Sequence, residues 1–128
     1  MISLEQGVEL VWQAFHDMIG GEIYVRKIPS MKVTDLARTI APEAKHEIIG
    51  IRPGEKLHEQ MISPEDSFFT YEYPDYYKIL PQINDWANSA ERIQDGQKVE
   101  EGFCYTSDSN SEWMTATDLK NWMAQNYD

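Results

Sequence analysis

The chain has 128 residues, 41% of them hydrophobic and 26% charged, a composition that excludes wholesale disorder and allows one buried core. Its formal charge of −11 argues against a general nucleic-acid binder and against an anionic membrane surface, since both reward clustered cations. The acidity is uneven: residues 1–60 carry −2 and residues 61–128 carry −9, so an anion site is expected in the first half.

Cys104 is the single cysteine, which leaves no internal disulfide and no cysteine-based zinc site. No apolar run approaches the roughly 18 residues of a membrane span, and the N-terminus lacks the basic and apolar regions of a secretory signal. A soluble, cytoplasmic protein is expected.

In chain order, Ser3 and Gln6 have the spacing of a capping box, and Leu4, Val8, Val11, Trp12, Phe15 and Ile19 follow a helical period. Gly20-Gly21 should stop this helix. Glu22 to Val25 reads as a short strand. Ser30 is a suitable cap for a second helix, with Val33, Leu36, Ala37 and Ile40 as its buried stripe and Pro42 marking its end. His46 to Ile51 is a second strand candidate, carried by Ile48, Ile49 and Ile51. Helix, strand, helix, strand is an α/β pattern.

Phe68 to Leu80 is dense in aromatic residues around Pro74-Asp75, which predicts a β-hairpin. Asn84 to Gly102 is poor in apolar residues and reads as loop. Thr115 and Asp118 suit an N-cap pair for a last helix containing Ala116, Leu119, Trp122 and Met123. Residues 1–66 and 67–128 are expected to pack together as one unit, the second part being an extension of the first.

Chemistry concentrates at Arg52-Pro53-Gly54-Glu55. Pro-Gly at the two central positions favours a type II turn, because proline fixes the first φ and glycine accepts the positive φ of the second. Arg52 and Glu55 would then flank the turn. A guanidinium can grip a phosphate through paired N–H donors, and a carboxylate can accept hydrogen bonds from ribose hydroxyls. The same spacing also describes an ordinary surface turn with an incidental ion pair.

Other sites are weaker. His58-Glu59 begins like a metalloprotease helix, but Ile62 stands where the second histidine should be. His16 and His46 are isolated. Arg26 and Lys27 follow the first strand and could face an anion or simply be solvated. Neither a G-x-G-x-x-G nor a Walker motif occurs, and there is no Tyr-x-x-x-Lys.

Several blocks occur in an order that resembles a known family. They are Leu4-Glu5-Gln6-Gly7-Val8, Ile28-Pro29-Ser30-Met31-Lys32, Arg52-Pro53-Gly54-Glu55-Lys56-Leu57-His58-Glu59, and the tail Gly102 to Ser107 with Asn110 and Trp113-Met114. They resemble the C-terminal, substrate-side part of bacterial UDP-N-acetylglucosamine 4,6-dehydratases that invert C5. These are extended short-chain dehydrogenases/reductases of surface-polysaccharide biosynthesis.

The resemblance implies an α/β piece, α+β in isolation, with a hairpin and a C-terminal helix but without the Rossmann half. It implies that Arg52 binds the diphosphate of a UDP-sugar and Glu55 its ribose, and that NADP belongs to the half carrying the glycine motif and the Tyr-x-x-x-Lys pair. With no catalytic or cofactor-binding residue expected in this chain, it should be inactive alone. Self-association, or a Rossmann-bearing partner chain, is the expected partnership, with Trp12 and Phe15 on the face exposed for it. A structural or oligomerisation module that binds no nucleotide is the competing expectation.

Overall fold

In the computed structural model, which describes residues 2–83 and 89–126, Ser3 Oγ accepts the backbone N–H of Gln6 at 3.2 Å while the Gln6 side chain accepts the N–H of Ser3 at 2.9 Å. Two otherwise orphaned donors are satisfied reciprocally, so the first helix starts where the capping box places it. The elements that follow in chain order are α1 (Leu4–Asp17), β1 (Ile23–Arg26), α2 (Val33–Ile40), β2 (Gln60–Ile62), a 3-10 turn (Asp66–Phe69), β3 (Thr70–Glu72), β4 (Tyr76–Ile79), α3 (Ala90–Ile93), β5 (Gln97–Lys98), β6 (Tyr105–Thr106) and α4 (Ala116–Asn126). This is a mixed helix and strand fold, as the α/β pattern predicts. Among the described residues, no helix is long and apolar enough to cross a membrane.

The chain divides into two units. The larger comprises residues 2–28 and 60–105. Its sheet has the order β1-β4-β3-β5, with every pair antiparallel. The predicted hairpin is its centre: β3 and β4 pair through Thr70–Ile79, Tyr71–Lys78 and Glu72–Tyr77, and the Tyr73 N–H donates to the Tyr76 carbonyl across Pro74-Asp75.

All four residues of β4 are buried, because a central strand is covered on both faces. Tyr77 and Ile79 join Val25, Ile62 and Tyr105 on one side, while Tyr76 and Leu80 join Tyr71 and Tyr73 on the other. The alternation follows from the two-residue period of a strand. Tyr73 and Tyr76 stack with centroids 4.6 Å apart and planes 3° from parallel. Lys78, on the same face, directs its ammonium to Asp17 at 2.5 Å and to the Arg92 carbonyl at 2.8 Å, over the rings of Tyr24 and Tyr73.

The sequence expectation of a loop over Asn84 to Gly102 is corrected where the residues are described; residues 84–88 lie outside them. Ala90–Ile93 is a single helical turn, and Gln97–Lys98 adds an edge strand to β3. Pairing with an existing strand, rather than local apolar content, creates β5.

On α1 the apolar stripe faces outward: Trp12 and Phe15 are 62% and 66% exposed, and Leu4, Val8 and Val11 are exposed beside them. Only Leu10 packs, partly buried, against the core of this unit.

Among the described residues, the smaller unit comprises 29–59 and 106–126. Ser30 does not cap α2. Its N–H donates to the Glu112 carbonyl at 2.9 Å and its carbonyl accepts the Met114 N–H at 2.8 Å, a parallel bridge that leaves Lys32 as the N-cap without a side-chain hydrogen bond. The expected buried stripe of α2 is also corrected: Val33 and Ile40 are exposed, and Leu36 and Ala37 are only partly covered.

At α4 the expected cap is present, with the Asp118 N–H donating to Thr115 Oγ1 at 3.2 Å and the Thr115 N–H to Asp118 Oδ2 at 2.8 Å. Leu119 is fully buried.

His46 to Ile51 is not a strand. Ile48 is 97% exposed, and Ile49 and Ile51 are exposed with it. A strand needs a neighbour to satisfy its backbone, and the described residues offer none there.

Candidate functional site

The Arg52–Glu55 turn forms as its composition requires. Gly54 has φ +84°, and the Glu55 N–H donates to the Arg52 carbonyl at 3.0 Å, closing the four-residue turn. The turn then folds Glu55 back on itself. The Arg52 N–H donates to Glu55 Oε2 at 2.8 Å, and the guanidinium Nε lies 3.8 Å from Oε1.

The two side chains are 71% and 48% exposed, so the ion pair contributes little stability, about 0–1 kcal/mol. What it does is hold a cation and a carboxylate side by side. Each carboxylate oxygen has two acceptor positions, so Glu55 keeps capacity for an incoming hydroxyl while it holds the Arg52 amide.

Three other sequence candidates, Arg26, Lys27 and His58, have partners of their own. Lys27 donates to Glu72 at 2.6 Å and lies over the Tyr77 ring, and Arg26 donates to the Gln6 carbonyl at 3.2 Å. His58 lies 3.7 Å from Asp108, whose carboxyl is held below the usual range first by the Thr106 hydroxyl. Among the described residues, no group of three or more His, Cys, Asp or Glu side chains could hold a metal ion.

Lys32 closes one of the family-like sequence blocks, and Arg38 and Lys120 lie outside them. With Trp113, all three border one cavity of about 750 Å³. The signal for part of it was in the sequence: Lys32, Asp35 and Arg38 recur every third residue and share a helix face.

The model of a family described as polysaccharide biosynthesis protein matches residues 1–81. The chain belongs to this family. Inverting UDP-N-acetylglucosamine 4,6-dehydratases from two Campylobacter jejuni strains are 52% and 51% identical to it over 124 residues, covering 92% of this chain. A UDP-glucose 4-epimerase from Rickettsia massiliae is 34% identical over 102 residues. The X-ray structure of Pen from Bacillus thuringiensis matches 98% of the chain with a TM-score of 0.79 and 26% identity. The chain spans 37% of the length of the two Campylobacter dehydratases and 37% of the Pen chain.

The sheet of the larger unit lacks the form that holds a dinucleotide cofactor. It is antiparallel throughout, and among the described residues no glycine-rich turn joins a parallel strand to a helix within it.

Proposed function

We propose that this chain supplies the UDP-sugar-contacting turn of a UDP-N-acetylglucosamine 4,6-dehydratase serving polysaccharide biosynthesis. Arg52 grips the diphosphate, and Glu55 accepts hydrogen bonds from the uridine ribose. One observation carries the reading: a closed Pro-Gly turn presents an exposed guanidinium and an exposed carboxylate 3.8 Å apart. A planar fork of donors beside an acceptor matches a diphosphate next to a vicinal diol. Alone, the chain binds weakly and does not turn over; dehydration requires a cofactor-binding fold in the same assembly.

The test is a proton–nitrogen NMR titration of the labelled chain with UDP, repeated with Arg52→Ala. Saturable shifts confined to residues 50–58, with a dissociation constant on the order of 1 mM, are expected, and they vanish in the variant. Dispersed spectra without shifts would overturn the reading.

The outward apolar face of α1 favours a second reading, an assembly module without nucleotide binding of its own. Sedimentation then shows a dimer or larger species that Trp12→Ser with Phe15→Ser dissociates. A wild-type monomer at about 100 μM, roughly 5.5 kcal/mol in association terms, would count against it.

A further inference from the structure

The cavity of about 750 Å³ in the smaller unit lies between α2 and α4 and is remote in character from the Arg52–Glu55 turn, which does not line it. Its volume falls within the roughly 300–1,000 Å³ typical of small-molecule pockets. Lys32, Arg38 and Lys120 line it with a single acid, Asp35, giving the wall a formal charge of +2 on a chain of −11.

The cations are not equally engaged. Asp35 holds Arg38 at 3.2 Å, whereas among the described residues Lys32 and Lys120 make no ion pair. Two unneutralised ammonium groups and a guanidinium around one concavity concentrate anions. Trp113 lines the same cavity, and its indole N–H donates to the Asn110 carbonyl at 2.7 Å. That bond fixes the ring edge, and Trp113 remains 45% exposed.

We propose that this cavity is a second ligand site, for a phosphate ester carrying a ring: the phosphate sits among Lys32, Arg38 and Lys120, and the ring lies against Trp113. A nucleotide and a sugar phosphate share this chemistry. Because the site uses none of the turn residues, it stands or falls separately from the function proposed above.

The test follows the Trp113 indole signal of the labelled full chain during titration with UMP, glucose 1-phosphate, inorganic phosphate and sulfate. A saturable shift with UMP or glucose 1-phosphate, tighter than with inorganic phosphate, is expected. Preference between the first two identifies the ring as nucleoside or sugar.

In Lys32→Ala with Lys120→Ala the affinity falls about tenfold or more, while Arg52→Ala leaves it unchanged. Lys32→Gln and Lys120→Gln taken singly, each conservative at an exposed position, weaken binding by smaller factors and serve if the double variant loses its dispersed spectrum.

Four outcomes overturn the proposal. They are no saturable shift with either ring ester up to about 10 mM, equal affinity for sulfate, no gain from the ring over inorganic phosphate, or affinity unaffected by loss of the lysines.

Discussion

The Arg92 guanidinium is ion-paired with the Glu22 carboxylate where the two side chains are 6% and 1% exposed. Neither group is left short of partners. Arg92 also donates to the Gly20 carbonyl at 2.8 Å, and Glu22 accepts the backbone N–H groups of Gly20 at 2.7 Å and Ile19 at 3.3 Å. The pair ties the turn after α1 to the single helical turn α3, within the larger unit.

Removing one member strands the other as an uncompensated buried charge. Arg92→Met is expected to lower the unfolding free energy by about 3–5 kcal/mol, measured by urea denaturation. Arg92→Met combined with Glu22→Leu should recover most of that loss, because the desolvation cost then disappears with the pair.

Acid should act through the same carboxylate. Burial pushes the Glu22 carboxyl upward, but the N–H groups of Gly20, Glu22 and Ile19, with Arg92, together hold it below its usual value. A folded value below the unfolded one means that the unfolded chain binds the proton first. The stabilisation is therefore complete above the unfolded value of about 4.3 and is lost as pH falls through the folded value. Urea midpoints should decline across that window, and Glu22→Gln should make the decline shallower. Asp118 and Asp108, held down first by the hydroxyls of Thr115 and Thr106, retain part of the slope.

Gly96 is required by space rather than by backbone conformation. A Cβ built there would stand 2.5 Å from both Cζ and Oη of Tyr73. That ring cannot swing away freely, because it stacks on Tyr76 and its hydroxyl donates to the Ile93 carbonyl at 2.7 Å. Gly96→Ala is expected to destabilise the larger unit by about 1–3 kcal/mol and to disturb the Tyr73–Tyr76 stack, visible in near-ultraviolet circular dichroism.

Gly54 is required by backbone conformation instead. Its φ of +84° penalises any side chain by about 1–2 kcal/mol, yet nothing lies within 4 Å of a Cβ placed there. Gly54→Ala should therefore lower the unfolding free energy by no more than that backbone penalty of about 1–2 kcal/mol, with no added clash, while weakening UDP binding severalfold. A variant that binds UDP as well as the wild type would show that the closed turn is not what the nucleotide recognises.

Local chemistry made much of this fold legible. The capping residues Ser3, Gln6, Thr115 and Asp118, the Pro-Gly turn and the aromatic hairpin each act through neighbours a few residues away, so their spacing in the chain carries the information. Ser30 is instructive because its residue type suits a helix cap, but its backbone pairs with Glu112 and Met114, about eighty residues on. The apolar run at Ile48, Ile49 and Ile51 shows the opposite limit: hydrophobic residues without an adjacent strand do not make one.

The candidate site divides in the same way. Arg52 and Glu55 are readable because only the two central turn residues, Pro53 and Gly54, separate them. The grouping of Lys32 and Arg38 with Lys120 and Trp113 depends on where α2 meets α4, which no local pattern encodes.

The burial of Lys78 has a kinetic consequence. Its amine is 1% exposed and held by Asp17, so an acylating reagent added to the folded protein cannot reach it. Modification at this position must wait until the sheet parts. The rate at which Lys78 becomes labelled is therefore a timekeeper for opening of the larger unit, one that reads its transient excursions without any denaturant.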